Sequence, residues 1–188
     1  GGAFSGCTNL TAFAGGNTEA VTNMFGMFFD TSSLINLDLS SFNTAAVTDM
    51  YGMFSGASSL TSLDLSSFNT AKVTNMGFMF RNASGLTSLD LSSFNTAAVT
   101  TMSYMFWNAS GLTSLDLTSF NTALVTNMSA MFRDASGLTT LDATGWQDVT
   151  TNQTTGVDIF TNANATLTVT CDQGGSPASG SLFTETCN

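Results

Sequence analysis

The chain has 188 residues, 43% of them hydrophobic and only 9% charged, and its 13 acidic residues against three basic ones (Lys72, Arg81, Arg133) give a net charge of −10. So few cations neither neutralise a phosphate backbone nor hold an anionic bilayer, which sets aside nucleic acid and the membrane surface as partners. No apolar run reaches the ~18 residues of a membrane span, histidine is absent, and no phosphate loop, Cys/His metal set or serine with a base partner occurs, so no membrane insertion, enzyme activity, metal or cofactor is expected.

The chain opens on Gly1 without a basic stretch leading into an apolar one, which reads as a processed chain or an excised fragment without a signal peptide. Residues 1–16 form half of the unit that follows. Phe4, Cys7, Leu10 and Phe13 are spaced as Phe54, Ala57, Leu60 and Leu63 are. Cys7 therefore falls in the small-residue column of Ala57, Ala83, Ala109 and Ala135, and is expected to be a buried small side chain.

From residue 17 to 146 the sequence repeats five times with a period of 26, marked by Phe42, Phe68, Phe94, Phe120 and Trp146. All ten methionines fall in two columns, from Met24 and Met27 to Met128 and Met131. Such a period is the signature of stacked supersecondary units that bury their apolar faces against one another. Within a unit, Met76, Met79, Phe80 and Ala83 follow the spacing i, i+3, i+4, i+7, which predicts a short helix with this stripe inward. Thr74, like Thr22, Thr48, Thr100 and Thr126, stands where an N-cap belongs. Leu63-Asp64-Leu65 alternates as a short strand does, leucines in and aspartate out. Asn43, Asn69, Asn95 and Asn121 follow the strand and are expected to bond the backbone of adjacent coils. The fold class expected is an α/β solenoid like a leucine-rich repeat, with one short parallel strand and one short helix per repeat and a cap at each end.

Residues 147–188 leave the pattern and are expected to cap the stack. Ile159, Phe160 and Ala163 echo the repeat, and "TLTVT" alternates like a strand that pairs onto the last coil. Cys171 and Cys187 lie in a segment with little core of its own. A disulfide between them, implying an oxidising compartment, stands against two free thiols.

The phrase "LTSLDLSSFNTAKVTNMGFMF" resembles the repeats of the BspA-like leucine-rich-repeat surface proteins, with the same strand phrase, "VTNM" and "MF" at fixed spacing. The resemblance covers about Phe4 to Trp146 and not residues 147–188. It implies an exported protein displayed at a microbial surface and associated with adhesion to host or matrix proteins and to other cells. Binding residues are not fixed across that family, and this chain has Ala in most places where such repeats often carry Cys.

Candidate partner-binding residues lie in two groups. Asp38, Asp64, Asp90, Asp116 and Asp142 are expected in one row on the strand face. At ~4.8 Å between strands, neighbouring carboxylates repel by roughly 0.9 kcal/mol in water before screening, so flanking hydroxyls, solvent cations or a basic partner must offset them. Phe25, Tyr51, Phe78, Tyr104 and Trp107 lie off the inward stripe and either dock a partner or cover the neighbouring coil. Six N-x-S/T sequons, at Asn9, Asn82, Asn108, Asn127, Asn152 and Asn164, carry glycans only in a glycosylating host. Two functions follow as expectations. One is an extracellular adhesion or recognition module for a protein or cell-surface ligand. The other is the subunit of a filament or surface layer, self-associating through its aromatics or its end caps. Ice binding is disfavoured because the Thr column has capping work assigned to it.

Overall fold

The computed structural model describes residues 1–146, 158–164, 166–171 and 184–187, with residues 171 and 184–187 described by backbone alone. Among these residues there are six short strands: β1 Ala12–Ala14, β2 Asn36–Asp38, β3 Ser114–Asp116, β4 Thr140–Asp142, β5 Thr168–Cys171 and β6 Thr184–Cys187. All pair in parallel, β1 with β2 in one sheet and β3-β4-β5-β6 in another. Segments 62–64 and 88–90 of the middle coils keep the alternation, Leu63 and Leu89 inward and Asp64 and Asp90 outward, without being strands. The register steps by 26 residues from Leu115 to Leu141, so each turn of the stack is one sequence repeat.

The expected helix in each repeat is not there. Among the described residues no helix occurs, and the segment that carries the i, i+3, i+4, i+7 stripe is a run of consecutive turns. Its backbone alternates in hydrogen-bonding direction. Met53, Ser55 and Ala57 donate to the carbonyls of Met50, Gly52 and Phe54 three residues back, at 3.1–3.2 Å. The residues between them, Met50, Gly52, Phe54 and Gly56, donate to Asn75, Gly77, Met79 and Arg81 of the next coil at 2.7–3.0 Å. An α-helix would turn every one of these N–H groups onto its own segment. Two left-handed residues per coil prevent that. They are Gly26 and Asp30, Gly52 and Gly56, Phe78 and Asn82, Tyr104 and Asn108, and Ala130 and Asp134, all with φ between 53° and 77°. Gly, Asn and Asp tolerate this region best, and they fill seven of these ten places.

The stripe nevertheless faces inward. Met50, Met53, Phe54 and Ala57 are fully buried, as are their counterparts in the next two coils. Phe4, Phe28, Phe54, Phe80, Phe106, Phe132 and Phe160 form one continuous stack, with centroids 5.4–6.0 Å apart and ring planes within 12° of parallel. Phe160 lies 28 residues after Phe132, so the echo beyond Trp146 continues the column after two extra residues. The "TLTVT" segment forms β5 against β4.

Three smaller expectations are corrected. Thr48, Thr74, Thr100 and Thr126 cap nothing helical; each donates both its N–H and its hydroxyl to the carbonyl of the threonine one coil earlier. Asn43, Asn69, Asn95 and Asn121 bond within their own coil, each Oδ1 accepting the N–H two residues on. The bond to the next coil comes instead from buried threonines. Thr70 Oγ1 accepts Asn95 N–H at 2.8 Å and donates to Asn95 O at 2.9 Å, and Thr18, Thr44 and Thr96 repeat the exchange. Cys7 has the backbone position of its column, donating to Phe4 O as Ala57 does to Phe54 O, but it is exposed because among the described residues no coil lies on its outer side. Cys171 and Cys187 stand opposite one another in the β5–β6 register, and their side chains lie outside the described residues.

Candidate functional site

The strand side carries the acidic row. Asp38, Asp64, Asp90 and Asp116 are exposed and Asp142 is half-buried. Alternation puts them there, because Leu63 and Leu65 take the inward positions on either side of Asp64. Each aspartate also builds the turn that follows it. Its Oδ1 accepts the backbone N–H two residues on, from Ser40, Ser66, Ser92, Thr118 and Thr144, at 2.9–3.0 Å. The Thr118 and Thr144 hydroxyls add donors at 2.7 and 2.6 Å.

These bonds decide the electrostatics. Hydroxyl and backbone donors hold the carboxyls of Asp38 and Asp64 below the ordinary 3.8, with the serine hydroxyl the larger cause. At Asp90 and Asp116 the backbone N–H leads. A neighbouring carboxylate pushes Asp38, Asp90 and Asp116 the other way, as the last and least of the causes. Of the three offsets expected for the row, the flanking donors are the one present in the fold.

Beside β1 and β2 an open groove of about 480 Å³ adjoins the row, and Ala12, Ala14, Ile35 and Leu37 line it together with Asp38 and Asp64. Ile35 is 55% exposed, among the most exposed large apolar side chains described. The sequence repeat hides this groove, because it lies in the worn first coils where the pattern is weakest.

The turn side carries the aromatics. Phe25, Tyr51, Phe78 and Tyr104 form a rail with centroids 4.6–5.0 Å apart, and Trp107 meets Tyr104 at 5.5 Å. The rings occupy two adjacent sequence columns, Phe25 and Tyr51 in one and Phe78 and Tyr104 in the next. Gly77 permits the crossover, since a Cβ there would come within 3.3 Å of the Tyr51 ring. Along the rail the inner rings pack on their neighbours and tie coils together, while Phe25 at its end has one ring neighbour and stays 48% exposed.

Trp107 has a further setting that the aromatic pattern alone does not point to. Arg81 and Arg133 share its column one coil away on each side, with guanidinium carbons 4.6 and 6.0 Å from the ring. Trp107 Nε1 donates to Asp134 Oδ2 at 2.8 Å, the leading cause that holds the Asp134 carboxyl below 3.8. The 26-residue spacing of Arg81, Trp107 and Arg133 was the available signal.

No three acidic or cysteine side chains converge among the described residues, so the acidic row is a line and not a cage. No described helix is long and apolar enough to cross a membrane. Of the sequons, Asn82 and Asn108 pair amide to amide at 3.1 Å, while Asn152 lies outside the described residues.

No curated protein and no solved structure matches this chain. A family does: the stacked coils fall within two consecutive matches, residues 2–88 and 86–170, and the chain belongs to the DUF285 family, described as Mycoplasma protein of unknown function.

Proposed function

We propose that the chain is a non-enzymatic extracellular recognition or adhesion module that binds a protein or cell-surface partner through its strand side. The observation that carries this reading is the junction of the acidic row with the groove, where Asp38 and Asp64 flank the exposed Ile35. A surface of that kind suits a partner bringing basic side chains around an apolar one. Every aspartate is held by its own turn, so the charges are fixed before a partner arrives and little ordering is left to binding. The likeness of the repeat to BspA-like surface proteins supports the extracellular setting. The rail is a weaker candidate, because its inner rings are already packed on one another.

The test is the double variant Asp38→Asn with Asp64→Asn. Asparagine keeps the turn, since Asn43 and Asn69 make the same two-residue bond in this chain, and removes only the charge. Surface plasmon resonance against immobilised extracellular-matrix proteins, with adhesion to intact cells alongside, should show affinity falling by about tenfold or more. Binding of undiminished affinity would place the partner elsewhere.

A further inference from the structure

We infer that the Arg81–Trp107–Arg133 stack docks onto the acidic row of a second copy of this chain. Two of the chain's three cations sit in this one column. Arg81 has no acidic partner among the described residues, and Arg133 has only Asp134, at 3.6 Å through Nε. The Nε atoms of both arginines are buried without a hydrogen-bond partner, while the Arg133 side chain is 40% exposed, so the outer fork is what meets solvent. Arg set against a Trp ring, with donors left for a carboxylate, is a combination that concentrates binding energy at protein interfaces.

The spacing points to the occupant. Arg81 and Arg133 are two coils apart, roughly 10 Å at ~4.8 Å per coil. Asp90 and Asp142 are also two coils apart, with Asp116 between them. The same two-coil step separates Asp38 from Asp90 and Asp64 from Asp116, so two copies laid side by side bring both forks to carboxylates at once in any of three registers, each of which uses at least one of Asp90, Asp116 and Asp142. An acidic surface without this period satisfies one fork and leaves the other wanting. The arginines lie on the turn side and the aspartates on the strand side, so the contact joins unlike surfaces and does not close on itself. The product is a lateral row of copies. This goes beyond the recognition reading, which rests on Asp38, Asp64 and the groove at the other end of the acidic row.

At a net charge of −10 the copies repel over long range, so association belongs near 0.1 M salt, where screening acts beyond about 10 Å and the contacts survive. The experiment is sedimentation velocity on the full chain across a concentration series at that salt. Wild type should form species larger than dimers. R81Q/R133Q and D90N/D116N/D142N should each stay monomeric alone. Mixed one to one, they should form a two-chain complex and stop, because the first retains only the acidic row and the second only the arginine stack. A monomeric wild type at every concentration overturns the inference. So does unimpaired assembly of either variant, or a mixture that stays monomeric. Circular dichroism checks folding, and the acidic-row triple carries the test if the arginine double does not fold. Matrix binding measured on D90N/D116N/D142N separates the two readings, because Asp38, Asp64 and the groove are intact in it.

Discussion

Asp64 shows how much one side chain of the repeat does. Its carboxylate points to solvent because the leucines beside it take the core, and the same group closes the next turn by accepting Ser66 N–H at 2.9 Å. The first property is legible in the period-two alternation. The second is not, because Asp-x-Ser is ordinary surface sequence until the backbone bends to bring the N–H onto the carboxylate. A pH dependence follows. The carboxyls of Asp38, Asp64, Asp90 and Asp116 lie below 3.8 when folded, and unfolding returns them to that value. The unfolded chain then binds more protons as the pH falls, so the stabilisation is fully present above the ordinary value and lost as pH drops through the lower folded ones. The urea midpoint should be flat above about pH 5 and decline below about pH 4. The four-fold Asp→Asn variant should show a shallower acid decline. An equally steep decline in that variant would assign acid sensitivity to other groups.

At the scale of the element, the turn segment shows where reading by period stops. Met76, Met79, Phe80 and Ala83 are buried together, as the i, i+3, i+4, i+7 rule requires, yet the segment is not a helix. Burial periodicity reports which side chains share a face; it does not report the sign of φ. What decides the conformation are the residues between, at the two left-handed columns, where Gly26, Gly52, Gly56, Asn82 and Asn108 are types that weaken a helix and accept positive φ. The threonine that exchanges bonds with the next coil was equally invisible, because Thr70 and Thr74 look alike in sequence and only the fold buries the first. The two columns predict graded costs. Gly26→Ala puts an L-residue at φ 55° with no close contact beyond Phe29 Cβ at 3.5 Å, and should cost about 1–2 kcal/mol. Gly56→Ala meets the same backbone cost and also drives its Cβ against Asp30, whose Cα is 3.1 Å away, so it should cost more. Chemical denaturation of both variants gives the order, and equal costs would contradict the close coil contact at Gly56.

Over the whole molecule, the alternating backbone gives the stack a direction. Within the turn segment, at Met50, Gly52, Phe54, Gly56 and their described counterparts, the N–H groups that leave a coil point toward the C-terminal neighbour, and the carbonyls that receive them point back, while the threonine just before the segment points the other way. The two ends are therefore unlike. At the N-terminal end the carbonyls of Gly1, Ala3 and Ser5 hold the receiving positions and accept no hydrogen bond among the described residues. Phe4 is half-buried and Cys7 exposed there, although their columns are fully buried in the interior coils. Two such ends cannot face each other, since both would offer acceptors, but a coil laid in the same sense supplies the donors. A copy of Tyr51–Met76 fused ahead of Gly1 continues the repeat in register and should stack as every interior coil does. Completing the burial of Phe4 alone is worth up to about 1.5–3 kcal/mol, so the extended chain should unfold at higher urea. Cys7 gives the local readout. Alkylation followed by mass spectrometry should modify it readily in the native chain and slow sharply in the extended one. If Cys7 reacted equally fast in both, the added coil would not be seated on that edge, and the directional ladder would not extend past the first coil.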